Sequence, residues 1–332
     1  MSVDPSVLLT GASGFIGSAV AGRLVEEGFA VRALVRAGSR RDHLTALGVD
    51  IVEGRITDAA SMSAALASCR YLVHVAADYR LWARDRSEIF AANIEGTRVV
   101  MEAARKAGVE RVVYTSSVAT VQPRPDGSPA DESAFMPEDA ASGAYQRSKI
   151  MAERLVRDMI ATGLPAVIVN PATVIGPNDV RPTPTGRIII AAATGRIPAF
   201  VDTGLNLVHV DDVARGHVAA LRRGLVGDRY ILGGENVRFA RMLADIAALA
   251  GRNPPRLRIP WYAALPVALV AEAASRVTGR EPLATLEGVR HARDRMFFST
   301  AKAEQQLGIR ARPYEEALSD AFAWFRSAGY LR

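Results

Sequence analysis

Hydrophobic positions in the first half of the chain gather into short runs at 7–10, 30–35, 50–52, 72–75, 111–115 and 166–169. Between several of them lie longer stretches with apolar residues at helical spacing, at 59–67, 88–106 and 144–162. Strands that are apolar at nearly every position are buried on both faces, as helices packed on each side of a parallel sheet require. The alternation therefore predicts βαβ units and a doubly wound α/β fold.

After Asn170 the rhythm changes. Residues 177–186 are rich in Pro and Thr, a strand-like return occurs at 230–232, and the remainder reads mainly as helix, notably 239–250 and 314–325. The expected division is a dinucleotide-binding unit over 1–170 and a smaller, mainly helical substrate-binding region over 171–332, interleaved where the strand near 230–232 rejoins the main sheet. The Pro-, Asp- and Ser-rich stretch 122–137 reads as a long loop. The apolar run 261–270 is broken by Pro266 and falls short of the roughly 20 residues that span a bilayer. It reads as a packed or interfacial helix, which leaves peripheral membrane contact open.

Composition narrows the classes. With 332 residues, 49% of them hydrophobic and 23% charged, the chain has the balance of an ordinary folded protein. A net charge of +6 arises from arginines scattered along the chain without a basic block, so no nucleic-acid partner is expected. Cys69 is the one cysteine, which rules out an intramolecular disulfide. A reducing compartment and the absence of an export-type leader make the cytoplasm the expected location. His209, Asp211 and Asp212 read as a capped strand-to-helix junction, and no metal is assigned.

Candidate chemistry begins where the first strand ends. Gly11, Ser13, Gly14, Phe15, Ile16 and Gly17 lie in a G-x-x-G-x-x-G turn that opens a helix over 18–27. Such glycines allow a tight turn and close backbone approach, and the helix N-terminus attracts a pyrophosphate. This is the pattern of a Rossmann-type dinucleotide site. An NAD site commonly ends its second strand in an acid that binds the ribose 2′-hydroxyl. Here that strand ends in Arg36, with Arg40 and Arg41 after it and no acid between Gly28 and Arg41. Cationic partners for a 2′-phosphate favour NADP(H), with NAD(H) left open. Asp58, after the third strand, is a candidate for the adenine or a helix cap, and Ala76 and Ala77 end the fourth strand with room for a ribose.

The fifth strand runs into Thr115, Ser116 and Ser117, hydroxyls at the carboxyl edge of a parallel sheet where ligands bind. Ser117 is the expected catalytic hydroxyl and Thr115 a cofactor neighbour. Tyr145 and Lys149 stand at i and i+4 on one face of a predicted helix. The chain has only three lysines, at 106, 149 and 302, which makes the pairing more telling. An adjacent ammonium is expected to lower the phenol pKa, so that Tyr145 can act as acid or base.

These motifs, in this order, resemble the extended short-chain dehydrogenase/reductase superfamily, which includes nucleotide-sugar epimerases, dehydratases and dihydroflavonol reductases. The stretches 74–85, 182–187 and 201–213 look like the hopanoid-associated sugar epimerases. The resemblance implies that Ser117, Tyr145 and Lys149 form the catalytic set, that Lys149 also holds the nicotinamide ribose, and that Pro171, Thr173 and Val174 border the nicotinamide. It also implies that Asn93 lies in an active-site helix and that dimerisation uses the Tyr145 helix, so monomer and homodimer both stand. The superfamily commonly has Gly-Asp after the third strand, whereas this chain has Gly54-Arg55, which puts a side-chain adenine contact there in doubt.

Tyr79, Arg80, Trp82, Asn178, Arg187 and Asn206 are the expected contacts to a sugar-like or lipid-linked substrate. The expected activity is hydride transfer at a carbonyl or hydroxyl carbon. A true epimerase that retains its cofactor is the alternative, and a non-catalytic dinucleotide sensor or a membrane-peripheral scaffold are the rivals from other classes.

Overall fold

Period-two alternation along the central strands decides the layering. In the computed structural model, which describes residues 6–279, 282 and 284–331, Val7 and Leu9 turn to one face of the first strand and Leu8 to the other. The first units are β1 (Ser6–Thr10), α1 (Phe15–Glu26), β2 (Ala30–Val35), α2 (Asp42–Ala46), β3 (Asp50–Glu53), α3 (Ala59–Leu66) and β4 (Tyr71–His74). Then follow α4 (Ser87–Phe90), α5 (Gly96–Ala107), β5 (Arg111–Thr115), α6 (Ala144–Ala161) and β6 (Ala166–Pro171). The stretch read as one helix over 88–106 is split: a widened π-type turn at Ala91–Glu95 separates α4 from α5. The first helix starts at Phe15, earlier than the expected residue 18.

The second half begins with β7 (Thr173–Ile175), α7 (Pro184–Ala193), β8 (Ala199–Val201), β9 (Gly204–His209) and α8 (Val210–Arg223). It continues through β10 (Arg229–Leu232), β11 (Glu235–Arg238), α9 (Phe239–Leu249), β12 (Leu257–Ile259), α10 (Leu265–Thr278), α11 (Leu286–His291), β13 (Arg295–Met296) and α12 (Tyr314–Ser327).

Seven parallel strands in the order β10-β6-β5-β4-β1-β2-β3 make the main sheet, a Rossmann-type doubly wound arrangement. One face packs on α1 and α8 through Val20, Leu24, Val213 and Val218. The other packs on α3, α5 and α6 through Met62, Val100, Ala152 and Val156. β10 comes from the second half of the chain and pairs with β6, so the two halves share one sheet. β9 anchors a smaller sheet with β7, β11 and β13, over a third core built on α7, α9 and α12. The carboxyl ends of β1, β4, β5 and β6 open toward the segments 76–86, 116–121 and 172–186, which concentrates the candidate residues at one edge.

Candidate active site

At the end of β1, Gly11 adopts φ +77°, and a Cβ there would stand 2.6 Å from the Ala76 backbone nitrogen. Only a glycine lets β1 and the residue after β4 approach this closely. A Cβ on Gly17 would lie 2.0 Å from the Gly11 carbonyl oxygen. Gly14 donates its N–H to that oxygen at 2.9 Å, closing the turn. Among the described residues, no side chain caps the N-terminus of α1. A cradle that any Cβ would fill, below an uncapped helix N-terminus, fits a dinucleotide pyrophosphate. Ser13 is exposed and Phe15 and Ile16 are half-buried along its rim.

Arg36 and Arg40 follow β2 with exposed side chains and no acidic partner among the described residues, whereas Arg41 pairs with Glu53 at 2.5 Å. Asp58 is occupied as the cap of α3: its carboxylate accepts from Ala60 N–H at 3.2 Å, Ser61 N–H at 3.1 Å and the Ser61 hydroxyl. Of its two expected roles, capping is the one the geometry fills. Ala76 donates its N–H to the Thr10 hydroxyl at 3.3 Å, and Ala77 is exposed beside it.

Ser117, Tyr145 and Lys149 converge. The Ser117 hydroxyl accepts from Ala119 N–H at 3.1 Å and lies near enough to the Tyr145 phenol to lower its pKa. Lys149 is buried, and its Nζ donates to the Thr115 carbonyl at 2.9 Å and to the Tyr114 hydroxyl at 3.4 Å. Burial pushes its pKa down to about 8, against the raising effect of Glu153. The expectation of a lowered Tyr145 pKa is reversed. Desolvation is the largest effect and lifts the phenol above its ordinary value; the nearby Ser117 hydroxyl pulls it back, and Glu287 and Asp78 push it further up. The lysine's charge is directed at the end of β5 instead.

The catalytic helix is held from outside. Gly143, at the start of α6, has no side chain to cap it, and the Glu287 carboxylate of α11 takes the N–H groups of Tyr145 at 3.2 Å and Gln146 at 2.8 Å. Arg290 donates to the Ser142 carbonyl at 3.1 Å, and His291 Nε2 lies 3.2 Å from Gln146 Oε1. Gln146 in turn donates to the Ala119 carbonyl at 3.0 Å, next to Ser117. Burial raises Glu287 to about 7, opposed by its bonds to Gln146 and Tyr145. Nothing in the spacing of the chain announces this cap. Glu153 was closer to hand, standing at i+4 from Lys149. It accepts from Ser116 at 2.5 Å, Thr120 at 2.7 Å and Asn170 at 2.8 Å, and pairs with Arg229 at 2.8 Å.

Asn93 faces inward from the widened turn. Its amide oxygen accepts from Asp78 N–H at 2.7 Å, and its Nδ2 donates to the Asp78 carbonyl at 2.9 Å and the Ser148 hydroxyl at 2.8 Å. Pro171 is buried at the end of β6, while Thr173 and Val174 are half-buried in β7.

The expected substrate residues divide. Tyr79 is exposed and Trp82 half-buried in the loop after β4; Arg80 is gripped by Asp78 at 2.6 Å and Glu88 at 2.8 Å, which raises its pKa. Asn178 is exposed with φ +69°, and Arg187 lies in the first turn of α7 near buried Asp179. Asn206 is a correction: it is fully buried, donating to the carbonyl of Gly234 at 3.1 Å and Asn236 Oδ1 at 2.8 Å and accepting from Gly234 N–H at 2.8 Å. Its polar atoms hold the turn between β10 and β11 and do not reach a ligand. His209 Nδ1 accepts from Asp211 N–H at 3.0 Å, and Asp212 holds Arg215 and Arg312.

The model of the NAD dependent epimerase/dehydratase family matches residues 7–233. A putative dihydroflavonol 4-reductase of Synechocystis is 42% identical over 98% of this chain and 95% of its own. Sterol demethylase protein B of Methylococcus capsulatus is 33% identical over 98% of this chain and all of its own. The crystal structure of gox2253 superposes with a TM-score of 0.89 at 46% identity, covering 99% of this chain and 100% of that one.

Proposed function

The chain belongs to the NAD-dependent epimerase/dehydratase family, a nicotinamide-dependent group within the extended short-chain dehydrogenases/reductases, and we propose that it is a cytoplasmic reductase that uses NADPH to reduce a carbonyl on a sugar-like, lipid-linked substrate. The observation that carries this reading is the buried ammonium of Lys149, fixed on the Thr115 carbonyl at the end of β5 and one turn along α6 from Tyr145. The Gly11–Gly17 cradle would hold the dinucleotide pyrophosphate, and Arg36 and Arg40 would supply the cations for a 2′-phosphate. When bound, the nicotinamide supplies the hydride.

Ser117 and Tyr145 hydrogen-bond the substrate oxygen, and Tyr145 gives its phenolic proton to that oxygen as negative charge develops there. A phenol whose pKa lies above its ordinary value keeps its proton until that moment. Lys149, held on the Thr115 carbonyl and the Tyr114 hydroxyl at the carboxyl end of β5, would hold the nicotinamide ribose there. Support for a polycyclic lipid carrier is the likeness of 74–85, 182–187 and 201–213 to hopanoid-associated sugar epimerases, together with a relative named for sterol demethylation.

The family's name favours a second reading, epimerisation, in which hydride leaves one face and returns to the other with no net redox change. Incubation with NADPH and hopanoid or sugar candidates, following reduced-nicotinamide absorbance alongside product analysis, separates the two. Stoichiometric loss of NADPH is expected. Product without cofactor loss establishes the epimerase, and faster turnover with NADH overturns the cofactor choice.

A further inference from the structure

Helix α10 is inverted relative to an ordinary surface helix. The stripe it turns toward the protein is Ala268, Glu272 and Ser275, at i, i+4 and i+7, small or polar residues that are buried. Glu272 is satisfied there by the Leu286 N–H at 2.7 Å, and Ser275 donates to the Ala271 carbonyl at 2.8 Å. The large apolar side chains point outward instead: Val267, Leu269, Val270 and Val277 are 62, 59, 69 and 86% exposed. Leu257 and Tyr262, on the segment leading into the helix, are exposed as well. A surface helix normally buries its apolar stripe, and an outward apolar face of this extent marks a contact surface.

The charge around this face indicates what covers it. Residues 252–279 hold four arginines, Arg252, Arg256, Arg258 and Arg276, against one acid, the buried Glu272. Arg258 pairs with Asp202 at 2.7 Å, while Arg252, Arg256 and Arg276 have no acidic partner among the described residues. A second copy of the chain would set like charges against each other. Anionic lipid headgroups would neutralise them, with the apolar side chains at the boundary of the acyl layer. Among the described residues, no helix is long and apolar enough to cross a membrane, so the contact is one that lies on the surface.

We propose that the outward face of α10, with the 257–262 segment, docks the protein onto an anionic bilayer. Two contacts join this face to the candidate active site. Arg84, in the loop that holds Tyr79 and Trp82, donates to the Arg276 carbonyl at 2.7 Å. Glu272 holds the start of α11, the helix whose Glu287 caps the catalytic helix. A lipid-borne substrate would thus be met where its carrier membrane is bound. The docking itself depends neither on the activity nor on the cofactor.

Co-sedimentation of the full chain with vesicles containing phosphatidylglycerol, set against pure phosphatidylcholine vesicles, tests this. Binding to the anionic vesicles that weakens as salt rises is expected. Leu269→Glu with Val270→Glu should lower the partition by about tenfold or more. Arg256→Gln with Arg276→Gln, which leaves the apolar face intact, should lower it about tenfold. Both pairs are exposed, and an unchanged melting temperature verifies the fold. Absence of binding, equal binding to both vesicles, or variants that bind like the parent would each overturn the proposal. So would a lipid-free dimer in sedimentation velocity that the double glutamate variant turns into monomer, since the face would then belong to a second copy.

Discussion

The two ends of the candidate site are built by opposite means. The cofactor cradle is backbone: Gly11, Gly14 and Gly17 lie within one turn, and the chain after β4 approaches Gly11 with main-chain atoms. The catalytic end is side chain and distance. Tyr145 sits on a helix whose first N–H groups are satisfied by Glu287, 142 positions away, and whose Gln146 is steadied by His291. The cradle owes its shape to missing atoms, and the tyrosine owes its place to a borrowed carboxylate. The first is thus sensitive to any added group, and the second to loss of a single remote one.

Four substitutions bear on that contrast. Tyr145→Phe should cut turnover about 10³-fold while dinucleotide binding by calorimetry is unchanged; an active Phe variant would remove Tyr145 from the chemistry. Gly17→Ala, whose Cβ would meet the Gly11 oxygen, should weaken dinucleotide binding about 100-fold, near the ~3 kcal/mol upper end of overpacking costs. Unchanged affinity would show that the cradle gives way easily and that the contrast is false.

Glu287 offers a pH-resolved test. Its folded pKa of about 7 lies above the ordinary 4.5, so the folded chain holds the proton more tightly. The stabilisation is complete below the unfolded pKa and is lost as pH rises through about 7. Glu287→Gln cannot ionise, so its stability relative to the parent should climb from acid to mildly alkaline pH, by about 3 kcal/mol. Chemical denaturation at several pH values reads this directly, and a flat difference would exclude Glu287 as the titrating group. Arg36→Gln has the smallest expected effect, about tenfold weaker NADPH binding with NADH unchanged; equal losses for both would place Arg36 away from the 2′-phosphate.

What the sequence made legible follows the same division. The strands, the Gly11 turn and the Tyr145/Lys149 spacing are local patterns, and local patterns survive being read in one dimension. The grip of α11 on α6 was invisible because it depends on a fold that brings residues 142 and 290 together. The direction of the Tyr145 shift was misread for a related reason: spacing brings an ammonium near, but burial and the Glu287 and Asp78 charges are properties of the packed molecule. Asn206 looked like a polar loop residue awaiting a ligand. It lies within β9, where the turn into β11 uses its amide completely.

The widened turn at Ala91–Glu95 sets the phase between the two helical segments around it. A π-type turn carries one residue more than the helix on either side, so deleting a residue between 91 and 95 would let the segment relax to ordinary pitch. One helical residue corresponds to about 100° of rotation, enough to swing Asn93 off Asp78 and Ser148 while α5 kept its packing on the sheet. The tolerance of this chain to single-residue deletions should therefore be uneven: cheap in the surface loops, and ruinous at a helix turn where the fold itself would survive.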